Sequence, residues 1–168
     1  MEGEIVNRVA KSPLITFDLE DHYPKGERKQ LDIAQWLYEG LILREKEFRT
    51  QVDLHNWSDY EDSYVALYCS TDAIVPAWAF MLVASRLAPH ARKVHIGSLN
   101  ELETALYPDI LNDLDVSPFI DKPVIIKGCS HRPVPENAYI MALAKIQKVA
   151  KNVMYGEACS SVPLYRKK

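Results

Sequence analysis

The chain has 168 residues, of which 48% are hydrophobic and 26% are charged, and this composition excludes a disordered or fibrous protein. The formal net charge of −3 excludes a strongly basic surface, so we expect no nucleic-acid partner. Three cysteines are too few, and odd in number, for a disulfide framework, which indicates a reducing compartment.

The amino terminus has no positively charged segment followed by an apolar core, so it does not resemble a secretory signal peptide. The longest uncharged apolar run covers the 13 residues 73–85 and contains Pro76. A membrane-spanning helix needs about 20 apolar residues. We therefore expect a soluble, cytoplasmic protein that does not associate with membranes.

The first third of the chain has an irregular pattern. A helix is predicted over residues 4–10 and a half-buried strand over residues 14–19, where apolar and polar side chains alternate. A helical segment begins near Asp32, which can cap its own helix with Gln35 at the capping-box position. Its apolar stripe contains Leu37, Leu41, Ile42 and Phe48, and Gly40 interrupts it.

From residue 64 onward, strands and helices alternate. Strands are predicted over residues 64–68, 93–97, 123–127 and 152–156, and helices over 74–87, 100–114 and 135–149, with a break at Pro108 in the second helix. This alternation is typical of an α/β fold with an open, mainly parallel sheet of about four to five strands covered by helices. We expect one domain, with residues 1–63 as an N-terminal elaboration, residues 64–160 as the core, and no sequence repeat.

Each of the three cysteines follows a predicted strand and precedes a serine: Cys69, Cys129 and Cys159. In a parallel sheet the carboxyl ends of all strands lie at one edge, where ligands bind. We therefore expect the three thiols to share that edge and to act as metal ligands. Soft sulfur ligands suit zinc or an iron–sulfur cluster, and a fourth ligand is predicted among His131, Asp72, His95 and Glu157.

A structural role for the cysteines is the main alternative, because cysteine is among the most frequently buried residues and no CxxC pair supports a metal. A second cluster contains Asp18, Glu20, Asp21 and His22, and it predicts either a hard-metal or acid–base site or a solvated turn. The sequence has neither GxGxxG nor GxxxxGK[ST], which disfavours the usual nucleotide-binding loops.

Several stretches resemble an uncharacterised bacterial family, a domain of unknown function of about this length. They are VAKSPLITFDLED (9–21), LILREKEFR (41–49), PAWAFML (76–82), KGCS (127–130) and GEACSSVPLY (156–165). Members are often encoded beside genes of the Suf iron–sulfur assembly system. The resemblance implies a role in cluster assembly or sulfur handling with Suf-type partners, and it favours iron–sulfur chemistry over zinc.

The leading hypothesis is an accessory factor of iron–sulfur cluster assembly that holds a cluster, iron or persulfide sulfur on Cys69, Cys129 and Cys159. The first alternative is a non-catalytic α/β interaction module, expected to be a homodimer, whose cysteines only pack. The second alternative is an enzyme that uses Cys129 as its nucleophile, with His131 or His95 as its base.

Overall fold

The computed structural model describes residues 13–128 and 131–168, and these residues group into two compact units. The second unit is the continuous segment Pro24–Ala105, whereas the first unit combines the described part of Met1–Tyr23 with Leu106–Lys168. Each unit has its own β-sheet and its own cluster of buried apolar side chains, so each has the layered construction of a small α/β domain.

The regular elements follow one another along the chain with short 3₁₀ turns between them. The strands are β1 (Ile15–Phe17), β2 (Arg28–Asp32), β3 (Tyr64–Tyr68), β4 (Lys93–Ile96), β5 (Pro123–Lys127), β6 (Asn152–Glu157) and β7 (Ser160–Arg166). The helices are α1 (Glu45–Leu54), α2 (Ala77–Leu87), α3 (Leu99–Asn112) and α4 (Glu136–Ile146).

The sheet of the first unit has four strands in the order β1-β5-β6-β7. The first three are parallel, and β7 runs antiparallel to β6. Val124 and Ile126 of the inner strand β5 are 0% and 1% exposed, as expected for an apolar strand covered on its faces. α4 buries Ala138, Ala142 and Ile146 in the same apolar cluster.

The sheet of the second unit has three strands in the order β2-β3-β4, and all of them are parallel. Its central strand β3 buries Val65 and Leu67 completely. α2 contributes Ala79, Val83 and Leu87, which are spaced by one helical turn and therefore share one face. The apolar cluster of each unit thus includes an inner parallel strand and the helix that follows it.

The two units repeat the same construction. Adding 59 to each residue number carries the bounds of β3 onto those of β5 and the bounds of α2 onto those of α4. The same shift carries Asp62 onto Asp121, with φ angles of 54° and 53°, and Gly97 onto Gly156. The chain therefore contains an internal structural repeat with a shift of 59 residues. The prediction that no sequence repeat exists beyond the period of the strand–helix units is not contradicted by it.

The repeat extends to the helix before each central strand. Phe48 and Val52 of α1 correspond to Tyr107 and Leu111 of α3, and all four side chains are buried. The first strands of the two sheets, β1 and β2, are also equivalent, with a shift of 14 residues. Each is followed by an aspartate, Asp18 or Asp32, whose carboxylate caps a 3₁₀ turn.

The predicted fold class is confirmed, because the chain has a mixed α/β fold with an open, mostly parallel sheet. The observed fold differs from the prediction in that its strands form two sheets. Strands β2 and β7 were not predicted. Pro108 lies inside α3 and does not end it, contrary to the predicted break. The predicted helix over residues 4–10 lies outside the described residues, and the single-domain organisation stays a prediction.

Two further details differ from the sequence expectations. Asp32 caps the turn Ile33–Trp36, not a long helix, and the next helix, α1, begins only at Glu45. Leu41 and Ile42 are each 54% exposed and do not belong to a buried stripe. Among the described residues, no helix is long and apolar enough to cross a membrane.

Candidate functional site

The strongest concentration of interacting charged groups in the first unit lies at the carboxyl edge of its four-stranded sheet. β1, β5 and β6 are parallel neighbours, so their carboxyl ends meet at this edge, where α/β sheets bind ligands. Asp18 directly follows β1, whereas Lys127 and Glu157 are the last residues of β5 and β6. We call this region the charged edge.

Asp18 and Lys127 form an ion pair at the charged edge. Lys127 Nζ lies 2.6 Å from Asp18 Oδ2, and the two side chains are 30% and 15% exposed, respectively. Asp18 Oδ1 also accepts the N–H of Glu20 at 2.9 Å. Burial raises the pKa of Asp18, but these hydrogen bonds and the charge of Lys127 outweigh it and lower the pKa below its usual value. The hydrogen bond to Asp18 in turn raises the pKa of Lys127.

Glu20 holds the loop that follows β5. One carboxylate oxygen, Oε1, accepts the backbone N–H groups of both His131 and Arg132, the latter at 2.6 Å. The guanidinium of Arg132 lies over the ring of Tyr23, 5.4 Å from its centroid. A carboxylate that accepts two backbone N–H groups fixes a loop with charge-assisted bonds. The loop is therefore anchored directly after Cys129, which itself lies outside the described residues.

Gly128 connects the end of β5 to this loop. Its carbonyl oxygen accepts the hydroxyl of Tyr155 at 3.4 Å. A Cβ atom at position 128 would lie 2.9 Å from the Tyr155 ring, which is closer than carbon atoms tolerate. The absence of a side chain at this position therefore lets Tyr155 of β6 pack against the start of the loop.

Cys159 lies in the tight turn that joins β6 to β7. Glu157 pairs with Ser160 across the hairpin, which leaves only Ala158 and Cys159 in the turn. The thiol is free and the residue is exposed, so reagents and partner proteins reach it. The hairpin places it directly beyond the carboxyl end of β6, at the charged edge.

Replacing Gly156 by alanine should disturb this hairpin. Gly156 has φ = +119°, a conformation that residues with a side chain rarely adopt, and an added Cβ would lie 2.6 Å from the backbone oxygen of Ser160. We expect the variant to lose about 1–3 kcal/mol in the free energy of unfolding, measured by urea denaturation. Gly40→Ala is the matched control for positive φ without crowding, because a Cβ atom added at position 40 would lie 3.7 Å from Thr71 Cγ2, an ordinary van der Waals distance. Equal losses in both variants would contradict the steric argument.

The structure distributes the predicted cysteine site over two sheets. Cys69 follows β3 of the three-stranded sheet, whereas Cys159 belongs to the hairpin of the four-stranded sheet. The expectation that one sheet edge carries all three thiols is wrong, because the chain builds two sheets. Cys69 is partly buried against the apolar cluster of the second unit, and its Sγ lies 3.4 Å from Thr71 Oγ1.

The predicted fourth ligands are divided in the same way. His131 and Glu157 belong to the first unit, and Asp72 and His95 belong to the second. Among residues 13–128 and 131–168, no group of three histidine, cysteine or acidic side chains has the arrangement of a metal site. Metal binding by Cys69, Cys129, Cys159 and His131 stays a prediction, since Cys129 lies outside these ranges.

The acidic cluster of the sequence is part of the charged edge. Two of its members, Asp18 and Glu20, bind Lys127 and the loop after β5. The ring of His22 packs 5.2 Å from that of Phe17. The cluster is thus a hydrogen-bonded structural element, and its two carboxylates are not simply solvated.

The internal repeat reveals charged residues that are present in the first unit only, a difference that was not recognised from the sequence. Lys127 and Glu20 of the charged edge correspond to residues without charge in the second unit, and their counterparts are Tyr68 and Ala34. The shared aspartates, by contrast, serve the same capping role in both units. Charged residues that appear in one copy of a repeat only are not required by its fold, so they point to a specific role of the first unit.

The comparison with protein families agrees with the resemblance noted from the sequence. A family model described as "Protein of unknown function (DUF2480)" matches residues 3–167. The chain is a member of the DUF2480 family. The match includes both units and the charged edge, so the internal repeat lies within the matched segment. Neither a curated protein nor a solved structure matches the DUF2480 chain.

Proposed function

We propose that the protein is an accessory factor of iron–sulfur cluster assembly that carries sulfane sulfur on thiols at the charged edge. The observation that carries the proposal is the free, exposed thiol of Cys159 in a tight hairpin turn. Free cysteines are usually buried, so an exposed thiol in a turn favours a chemical role over a packing role. The family resemblance supports Suf-type assembly proteins as partners.

Cys129 is the proposed second thiol. In the sequence it lies two residues beyond Lys127, the last residue of β5. In the ladder, Lys127 pairs with Gly156 of β6, three residues before Cys159. Because β5 and β6 are parallel neighbours, this order supports assigning both thiols to the same edge of the sheet.

The proposed reaction is transfer of one sulfur atom between thiols. The thiolate of Cys159 or Cys129 attacks the outer sulfur of a donor persulfide, R–S–SH. A new S–S bond forms, the S–S bond of the donor breaks, and the donor leaves as its thiolate. The step conserves oxidation state and needs no external oxidant. Arg132 lies three residues after Cys129 in the sequence, and positive charge near a thiol favours anionic sulfur.

Cys69 is not part of the proposed carrier. It packs against the apolar cluster of the second unit and contacts Thr71, as expected for a structural cysteine. Transfer requires one thiol at a time, whereas a zinc or cluster cage requires three or four ligands in one group. The interaction-module alternative from the sequence predicts, in contrast, that no cysteine accepts sulfur.

The test is a loading experiment with a cysteine desulfurase and cysteine as the source of persulfide. After desalting, protein-bound sulfane sulfur is measured by cyanolysis. We expect the wild type to carry about one sulfur per chain, Cys69→Ser to match it, and the double variant Cys129→Ser/Cys159→Ser to lose at least about tenfold. A double variant that loads like the wild type, or a wild type that does not load, would refute the proposal.

A further inference from the structure

A cluster of exposed apolar side chains lies at the carboxyl edge of the three-stranded sheet. Leu41 and Ile42 precede α1 and are each 54% exposed, and Ile74, in the loop after β3, is 93% exposed. The half-buried Trp78 of α2 lines the same depression. We call this depression the apolar groove. Its lining residues are Leu41, Ile42, Leu43, Glu45, Asp72, Ala73, Ile74, Pro76 and Trp78.

The internal repeat shows that the apolar groove is not a requirement of the fold. Ile74 and Trp78 correspond to Pro133 and Asn137 in the first unit, under the shift that superposes α2 on α4. The first unit therefore joins its equivalent strand and helix by a segment whose sequence lacks these large apolar side chains. Clustered, exposed apolar side chains in an aqueous protein mark an interaction surface. The carboxyl edges of the two sheets thus differ, because the first unit has charged side chains there and the second has exposed apolar side chains.

The charge of the groove indicates the chemistry of its occupant. The lining contains the two acidic residues Glu45 and Asp72, and the guanidinium of Arg49 lies over the ring of the lining residue Trp78, 5.1 Å from its centroid. Glu45 pairs with Arg49 in an exposed ion pair at 2.9 Å, which contributes little and exchanges easily. Within the described part of the chain, Asp72 is exposed and has no ion-pair partner. An apolar floor with an acidic rim complements apolar side chains flanked by lysine or arginine.

A second copy of the same groove is a poor occupant. A symmetric dimer pairs the groove with the same surface of a second copy, which brings two Asp72 and two Glu45 carboxylates into one interface with only the two Arg49 side chains beside them. Like charges at an interface oppose association. The observations therefore favour a different partner segment.

We propose that the apolar groove binds an apolar segment of a partner protein whose apolar side chains are flanked by lysine or arginine. Ile74 and Leu41 supply apolar contact area, and Asp72 recognises the basic flank. This binding site belongs to the second unit and does not involve the cysteines, so failure of the sulfur-transfer proposal would not affect the proposal for the groove.

The test uses two fluorescein-labelled amphipathic peptides with the same leucine pattern, one with lysine and one with glutamate at the polar positions. Fluorescence anisotropy with the full chain should show the lysine peptide binding at least about tenfold more tightly than the glutamate peptide. Ile74→Asp should weaken lysine-peptide binding at least about tenfold, since it removes apolar contact area. Asp72→Lys should remove the preference for lysine.

Ile140→Asp is the matched control, because Ile140 is an exposed isoleucine of α4 in the first unit. It should bind the lysine peptide like the wild type. Equal binding of both peptides, no binding of either, or equal loss in Ile140→Asp would overturn the proposal. Sedimentation velocity tests whether a second copy of the chain occupies the groove. A wild-type dimer that Ile74→Asp converts to a monomer would assign the groove to self-association and would also overturn the proposal.

Discussion

Replacing Asp18 by alanine should lower the free energy of unfolding by about 2–4 kcal/mol, because it removes a turn cap and a charge-assisted hydrogen bond together. Asp18 binds the N–H of Glu20 at 2.9 Å and the ammonium of Lys127 at 2.6 Å. The remaining lysine is then left partly buried without its counter-ion. Urea denaturation followed by far-ultraviolet circular dichroism measures the loss.

Asp32 provides the matched control in the other copy of the repeat. It also caps a turn, accepting the N–H of Ala34 at 2.9 Å and of Ser70 at 3.0 Å, but no lysine among the residues that the structure describes pairs with it. Asp32→Ala should therefore cost less, about 1–2 kcal/mol. A larger loss in Asp32→Ala than in Asp18→Ala would contradict the role that we assign to the ion pair.

The Asp18 contribution should depend on pH in a defined direction. Its pKa in the folded protein is below the ordinary value of about 3.9, so its stabilisation is fully present above that value and is lost as the pH falls through the lowered pKa. The stability of the wild type and that of Asp18→Ala should therefore converge in acid. A difference that stays constant down to low pH would exclude ionisation of Asp18 as its source.

Replacing Phe48 by alanine should lower the free energy of unfolding by about 3–5 kcal/mol, the usual cost of removing a buried aromatic ring. Phe48 is 0% exposed and meets Trp36 and Trp78 edge-to-face, with ring centroids 5.9 Å apart in both pairs. Edge-to-face aromatic contacts add to the value of the buried area. All three tryptophans of the chain belong to the second unit, so intrinsic fluorescence reports its unfolding directly.

Met81→Ala is the control for this core substitution. Met81 lies on the same unit's α2 but is 70% exposed, so its truncation should change stability by less than about 0.5 kcal/mol. If Phe48→Ala cost no more than Met81→Ala, the second unit would not have the packed core described above.

The sequence was most informative where a central strand is apolar throughout. Strands β3 and β5 were predicted with their observed bounds, because covered parallel strands form continuous apolar runs. Strand β2 could not be recognised, since it is an edge strand and buries only Leu31. Strand β7 contains Pro163, which is tolerated in an edge strand but led to the prediction of an irregular segment from the sequence.

The partition into two sheets could not be predicted, because strand order does not follow chain order. β1 precedes β2, yet it pairs with β5 more than one hundred residues later. Local patterns contain no information about such a long-range choice, and a single sheet was the simplest assumption. That assumption placed Cys69 and Cys159 at the edge of one sheet, whereas they follow strands of two different sheets.

The internal repeat suggests how the two units differ in function. Both keep the aspartate cap, the central apolar strand and the crossover helix. At equivalent sheet edges, the first unit has Lys127 and an exposed hairpin thiol, and the second has exposed isoleucines. We propose a division between a sulfur-carrying edge and a partner-binding edge.

Site-resolved mass spectrometry of the persulfide-loaded protein tests the central proposal most directly. The protein is loaded with a cysteine desulfurase and cysteine, alkylated under non-reducing conditions and digested, and each cysteine peptide is examined for one additional sulfur atom. We expect the added sulfur on the Cys159 or Cys129 peptide and not on the Cys69 peptide, as the sulfur-transfer proposal requires. Added sulfur on Cys69 alone, or on none of the three, would contradict it.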